Sequence, residues 1–574
     1  MTAAASISPH PSPAASSEKP KNGLAGLRQL GYDIPAGMVV SLISLPLSSG
    51  IAIASGMPPI YGLISAIIAG FVFPLIGGAY VTIAGPAAGL APALLAIMAT
   101  MGGAGDADHL GAGYHYLLVV IFMVGCVQIV LAALKLARFA AIIPVAVVEG
   151  MLAAIGLLII VKQLPMFFGY TGPVHAHEFF EFLREAPHIV WHLTPAVFAV
   201  ALSCLVLMLV LGSIKGVRFL KVVPPQLIAV VFGVGLGYAL NLGSLPGGFL
   251  IKLPETPFHG VHLPDLAGML ARQDLWYAAI LGVITLTMID GVESLATAMA
   301  IDRIDPFKRK SQPNRVLLAM GVCNIASSLV GGLTIIPGGV KSKANIAAGG
   351  RTLWANFTNA VCLVIYLLVA APLINMIPKA ALAAVLVYTG WKMCEPVIWR
   401  HMAHIGKEQL AIFAITVGAT LLTDLLWGIF IGVAAKLALS FALSRRGVAM
   451  KPIAGTALPT WLQSVGDFFR NPVSRRELQP DGYHLFINKP LVCFNSMKLS
   501  EELERVPRDA KAVFVHLDEC VSLVDHTSFE NLEYVIQEFL QSDVPVQVVG
   551  LDRMRPLSHH HTCMHVAAPS LASA

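Results

Sequence analysis

The sequence predicts a polytopic α-helical membrane protein, with fourteen transmembrane segments in two sevens of opposite orientation and then a small C-terminal α/β domain. Three observations predict this. Of 574 residues, 56% are hydrophobic and only 12% charged, whereas a soluble domain carries about 25% charged residues. Apolar runs such as 114–134, 192–214 and 353–377 reach the length of about 20 residues that a helix needs to cross a bilayer. Two other runs break in similar ways, GGAYVTIAGPAAG at 77–89 and GGLTIIPGGVKSK at 331–343.

In chain order, residues 1–30 begin small, polar and Pro-rich, with no signal-peptide core, and read as a disordered cytoplasmic tail. The transmembrane domain takes 31–446. Its first seven segments lie near 34–54, 59–77, 80–101, 114–134, 140–162, 192–214 and 222–241. The second seven lie near 275–299, 314–332, 333–349, 353–377, 378–395, 408–424 and 425–443. Cations concentrate in alternate loops: Lys135 and Arg138; Lys215, Arg218 and Lys221; Arg303 through Arg315; Lys392, Arg400 and Lys407. That is the positive-inside pattern, and it fits a multi-pass protein of the cell inner (plasma) membrane with both ends cytoplasmic.

Residues 447–479 read as a linker and 480–556 as the soluble domain. There YHLFINK, AVFVHL and VPVQVVG have strand character, while SMKLSEELERV and TSFENLEYVIQEFLQS are helical. Residues 557–574 read as a disordered tail, in which HHHTCMH is solvated and holds no metal. The eight cysteines stand singly, with no C-x-x-C pair, which argues against a disulfide framework or zinc site. A net charge of +5 is carried by loops and gives no nucleic-acid surface. Asp424 reads as a cap of the last span, and the stretch with His175, His177, Glu178, Glu181, Arg184 and Glu185 as an amphipathic surface helix.

The breaks point to function. A bilayer tolerates irregular backbone only where protein or a water-filled cavity satisfies its polar groups, and paired broken segments mark the central site of many transporters. Here they are the third segment of each seven. Odd-numbered halves insert with opposite orientation, so the helix N-termini after Pro86 and Pro337 face one another near the midplane. Each carries unpaired N–H groups and roughly +0.5 of an elementary charge, which together suit a small anion. Lys341 adds a full charge if it lines the site; the alternative is that Lys341 and Lys343 snorkel to the headgroups. The eighth segment, LGVITLTMIDGVESLATAMAID, holds Asp290 and Glu293 at i, i+3 and Thr297 a turn beyond. Such groups inside a membrane are functional candidates: a sodium site, a proton carrier, or a counter-ion to Lys341. No P-loop, G-x-S-x-G or H-E-x-x-H motif is present, so an enzyme is not expected, nor a cofactor beyond Na+ or H+ as coupling ion.

The segments LPLSSGIAIASGMPPIYGLISAIIAG, TIAGPAAG, GVES and PNRVLLAMGVCNIASSLVGGL resemble the sulfate permease (SulP) family from about Tyr32 to Phe441. VFVHLDECVSLVDHTSFENL is similar to the strand–loop–helix of the STAS domain that these proteins carry. The resemblance implies a 7+7 inverted repeat divided into core and gate domains, an anion site between the third and tenth helices, and a homodimer. By position it implies substrate contacts at Ser48 and Ser49, next to Leu47, at Gly85, Ala87 and Ala88, and at Gly338, Gly339, Lys341 and Ser342; coupling falls to Glu293 and Thr297, beside Asp290. This chain departs in having Leu47 where many members have Gln, Lys341 for the usual Arg, and a displaced Pro337. The STAS loop has His526 at the first of two hydroxyl positions, which argues against phosphorylation at Thr527. The expected function is secondary transport of sulfate or bicarbonate by alternating access. An uncoupled anion channel, or a receptor whose STAS domain recruits a cytosolic partner, is the alternative.

Overall fold

The computed structural model describes residues 19–105, 109–137, 143–172, 179–214, 224–252, 262–423, 425–447, 466–507, 510–541 and 544–567. Asp424, His175, His177, Glu178, Lys215, Arg218 and Lys221 lie outside them. The first half contributes α1 (Leu30–Ala54), α2 (Pro59–Ile76), β1 (Ile83–Pro86) leading to α3 (Ala91–Thr100), α4 (Tyr114–Ala133), α5 (Val145–Lys162), α6 (Pro195–Ser213) and α7 (Pro225–Ala239). The second contributes α8 (Trp276–Ile304), α9 (Pro313–Ser328), β2 (Ile335–Gly338) leading to α10 (Gly339–Ala347), α11 (Trp354–Val369), α12 (Lys379–Cys394), α13 (Lys407–Leu422) and α14 (Leu425–Gly447). Among the described residues eight helices are long and apolar enough to cross a membrane. Helix starts follow local chemistry: Pro59, Pro195, Pro225 and Pro313 occupy first turns, where a missing N–H costs nothing.

Helix packing repeats when the two halves are exchanged. α1 packs on α11 as α8 packs on α4; α2 on α11 as α9 on α4; α1 on α7 as α8 on α14; α5 on α13 as α12 on α6. β1 and β2 pair with each other antiparallel, Ile83 opposite Gly338 and Pro86 opposite Ile335. The repeat is therefore inverted. α1–α4 with α8–α11 form one bundle, and α5–α7 with α12–α14 a second; α1 and α8 carry contacts between them.

The soluble domain is a four-stranded sheet in the order β3–β4–β5–β7: β3 (Val473–Gln479), β4 (Gly482–Ile487), β5 (Val513–Leu517) and β7 (Val546–Val549). β3 is antiparallel to β4 and the other pairs are parallel. Alternation buries Leu485, Ile487, Val513 and Val515 with Leu499, Leu503 and Leu532 of α15 (Cys493–Glu504) and α16 (His526–Gln541), the strand–helix order expected of a STAS domain.

Three segments are more ordered than the sequence suggests. Within 1–30, Gly23–Gln29 is a 3-10 helix held to the first bundle: Asn22 donates to the Ala79 carbonyl at 2.5 Å and accepts the Leu353 N–H at 3.1 Å, and Arg309 donates to the Pro20 carbonyl at 2.8 Å. The linker 447–479 ends in β3, because Val473 and its neighbours complete the sheet edge at β4. The tail 557–574 contains β9 (His565–Ala567), which joins β6 (Leu523–Val524) and β8 (Met554–Pro556) in a small sheet and buries Thr562, Cys563 and Met564.

Candidate functional site

The two strands are what the breaks build. Pro86 and Pro337 lack the N–H a helix interior requires, so each segment runs extended and then turns into a half-helix. One strand pairing cannot satisfy both edges of both strands, and side chains supply the rest. Ser342 Oγ accepts the Ile83 N–H at 2.9 Å and donates to the Gly338 carbonyl at 2.6 Å. Asn356 accepts from the Ala84 N–H at 2.8 Å and donates to the Thr82 carbonyl at 2.7 Å. On the other strand Asn324 Oδ1 accepts the Ile335 N–H at 2.7 Å, and Ser65 Oγ accepts the Leu333 N–H at 2.6 Å. Because the pair is antiparallel, α3 and α10 leave it in opposite directions and their N-termini converge.

Lys341 lies at that convergence. It is 2% exposed and donates from Nζ to Ser48 Oγ at 3.0 Å. A methyl on Gly85 would come within 2.7 Å of the same nitrogen. Burial in the protein rules out snorkelling for Lys341, while Lys343 is exposed. No carboxylate pairs with Lys341 among the described residues, so its charge meets hydroxyl oxygen and helix N-termini. Pro46 inside α1 has no N–H for the carbonyl four residues earlier, which loosens the helix just ahead of Ser48. Gly62 of α2 lets the backbones touch there, since a methyl on it would lie 1.9 Å from the Ser48 carbonyl oxygen.

α8 passes both half-helix N-termini. The Glu293 carboxylate faces Gly89, where a methyl would be 2.5 Å from Oε2, and Thr297 faces Gly339, with Cγ2 3.8 Å from a methyl there. Glu293 is buried and Oε2 has no hydrogen-bond partner among the described residues. Asp290 is committed elsewhere: its oxygens accept from Ser294 Oγ at 3.1 Å and Asn324 Nδ2 at 3.0 Å, and Asn324 also donates to Gln128 at 2.9 Å.

Of the sequence-selected residues, Ser48, Gly85, Gly338, Gly339, Lys341, Glu293 and Thr297 come together around the convergence. Ala87 and Ala88 line the turn into α3, and the buried Ser49 hydroxyl has no partner among the described residues. The Ser342 hydroxyl is spent on β1 and β2. Sequence reasoning missed Asn324, Asn356 and Ser65. Their signal was available in CNIASS, WANFTN and LISA: amides and a hydroxyl inside apolar spans, expensive unless bonded.

The model of the Sulfate permease family matches residues 30–416. YvdB of Bacillus subtilis (strain 168), named as a candidate sulfate transporter, is 29% identical over 422 residues, 72% of this chain and 73% of its own. The bicarbonate transporter BicA of Picosynechococcus sp. (strain ATCC 27264 / PCC 7002 / PR-6) is 26% identical over 415 residues, covering 71% and 69%. In three dimensions the chain is similar to the transmembrane domain of a cyanobacterial BicA, with a TM-score of 0.61 and 26% identity over 70% of this chain and 98% of that one. It shares the fold of the murine Slc26a9 anion transporter, at a TM-score of 0.63 and 16% identity over 90% and 85% of the two chains. With its paired half-helices and a family match over residues 30–416, the chain belongs to the sulfate permease family of membrane anion transporters.

Proposed function

We propose that this protein is a secondary active transporter that moves a small inorganic oxyanion, sulfate or bicarbonate, across the cytoplasmic membrane by alternating access. The single observation that carries the reading is Lys341, buried where two half-helix N-termini converge and bonded, among the described residues, to Ser48. A lysine in that position has its charge uncompensated until an anion arrives. The first bundle would carry the site past the second, and relatives named for both anions support either substrate. Both chain ends are assigned to the cytoplasm from the loop charges, and the working assembly is a homodimer, as the family resemblance implies.

Coupling is assigned to Glu293 with Thr297, because one oxygen of the Glu293 carboxylate, beside Gly89, has no partner among the described residues and α8 touches both half-helices. The coupling ion is sodium or a proton. Asp290, bonded to Asn324 and Ser294, holds β2 in place and takes no direct part.

The test is initial-rate uptake of labelled sulfate and labelled bicarbonate into proteoliposomes, with and without a sodium gradient or a pH gradient. Saturable, gradient-driven uptake is expected, with Lys341→Ala raising KM at least roughly tenfold, the loss of one charge-assisted contact or more. Glu293→Gln should abolish the response to the gradient. Current far above carrier rates without saturation would identify a channel instead, and anion binding without flux a receptor.

A further inference from the structure

Between α5 and α6 the chain forms a further helix, Phe179–Trp191. Its place across the bilayer follows from α5. At the first residue of α5 the Val145 N–H donates to Thr527 Oγ1 of the soluble domain at 3.4 Å, and at the last turn Val161 packs with Phe182, Phe179 and Leu164. The 18 residues of α5 rise about 27 Å, so the helix lies at the face opposite the soluble domain. Its other end is held close by: Thr194 donates from its N–H to the Phe168 carbonyl at 2.9 Å and from Oγ1 to the Gly169 carbonyl at 2.7 Å. With both ends tied to residues 161–169, the helix runs along the membrane face instead of crossing it.

Its surface divides into three strips. Phe182 and Ile189, two turns apart, are buried. Glu181, Arg184, Glu185 and His188 follow one another at spacings of three and four, which sets them on one polar side. Phe180, Leu183, Pro187, Val190 and Trp191 form a third strip between these two, apolar yet exposed, with Trp191 at 86%. Protein on one side, polar groups on another and bare apolar groups on the third is the pattern of a helix lying in a bilayer surface. Trp191 supplies a large ring with one N–H, the kind of group enriched where bilayer meets water. Pro187 leaves the Leu183 carbonyl without its helical donor, so water or headgroups must reach it and the helix lies at headgroup depth. The chain then enters α6 at Pro195, and α6 presents Leu202, Val206, Leu209 and Val210 outward, only 28% of its apolar window being buried. The strip thus continues a surface already turned to the bilayer.

We propose that Phe179–Trp191 is a lipid-binding element that seats the second bundle in the leaflet opposite the soluble domain. Phe180, Leu183 and Val190 enter the acyl region just beneath the headgroups, and Arg184 and His188 face phosphate and water. The partner is phospholipid as a class, held by apolar burial. Because the helix packs on α5 and α13, it fixes the depth of the bundle past which the first bundle moves in the transport reading. The lipid contact itself does not depend on that reading.

The experiment places a nitroxide on the full chain in phosphatidylcholine liposomes, at Leu183→Cys, Val190→Cys or Arg184→Cys. Each is made with Cys520→Ser, since Cys520 is the exposed cysteine among the described residues. Collisions with oxygen, which concentrates in lipid, are compared with collisions with a water-soluble nickel chelate. The oxygen-to-nickel ratio is expected to be several-fold higher at 183 and 190 than at 184. Equal ratios at the three positions would put the strip in water and overturn the proposal. Few collisions with either reagent at 183 and 190 would mean that protein, such as a second copy of the chain, covers the strip, and would overturn it too. A second readout needs no new cysteine: lipids brominated near the headgroup should quench the fluorescence that wild type loses in Trp191→Phe. An unquenched Trp191 component rejects the lipid contact even if a labelled variant does not fold.

Discussion

Gly85 separates β1 from the Lys341 ammonium by the space of one methyl group: a Cβ there would stand 2.7 Å from Nζ. The obstacle is the end of a flexible side chain, so an alanine displaces the ammonium and leaves the backbone in place. Gly85→Ala is therefore expected to fold with a melting temperature near wild type yet raise KM several-fold; loss of folded protein with no change in KM would contradict it. Gly62 is different. A methyl there meets the Ser48 carbonyl oxygen at 1.9 Å, so α1 and α2 themselves would have to part. The two glycines look alike in sequence, and only their neighbours distinguish a site residue from a packing residue.

At the scale of elements, the strand pair is held by amides from α9 and α11. Asn324 links the Ile335 N–H to Asp290 and Gln128. Asn324→Leu strands that N–H and one oxygen of the Asp290 carboxylate in the interior, the other oxygen keeping Ser294, and each group left unpaired costs about 1–3 kcal/mol. The expected result is a lower melting temperature in detergent, with both KM and maximal rate impaired in whatever protein survives. An unchanged melting temperature would show that β2 keeps its place without the amide.

At the scale of the molecule, the soluble domain docks on the second bundle. Lys436 of α14 and Asp525 pair at 3.2 Å with both side chains wholly buried, Ser444 meets Ser522 at 2.5 Å, and Ser558 donates to the Ile405 carbonyl at 2.5 Å. Phe468, Phe494, Leu523 and Met564 pack around Val433, Leu437 and Phe441. Burial alone would raise the Asp525 pKa, but the Lys436 ammonium and the N–H groups of Ser528 and Cys493 hold it below the ordinary carboxylate range. Removing one partner of such a pair costs about 3–5 kcal/mol. Lys436→Met should thus release the domain, read as faster proteolysis between the two parts; wild-type resistance would mean the apolar packing suffices.

The same seam gathers the rings of His401, His404 and His526 around His560. Burial, then His561, His526, His401 and His404, hold the His560 pKa below the ordinary 6.5. A histidine lowered on folding binds fewer protons than in the unfolded chain, so its stabilising effect is complete well above 6.5 and fades as pH falls through that value. Thermal unfolding should show a steeper loss from pH 7.5 to 5.5 in wild type than in His560→Asn; equal slopes would discount the cluster.

Composition and hydropathy by themselves determined the membrane class, the order of segments and the paired breaks, because bilayer crossing depends on run length and on Pro and Gly within the run. Lys341 and Glu293 stood out for a similar reason, as charges where apolar residues were due. Where Lys341 and Asp290 point was decided only by the tertiary structure. Whether a lysine reaches the headgroups or is enclosed by Ser48 and Gly85 depends on segments some 250 residues apart in sequence, 85 to 341, and whether an aspartate faces the site or Asn324 depends on the packing of the next helix, 34 residues on. The ordered ends were likewise invisible locally: residues 20–29 and 565–567 are short polar or mixed stretches whose partners, Arg309, Leu353 and Leu523, lie far along the chain. Hydrogen bonding across such distances is a property of the fold, and local periodicity carries no trace of it.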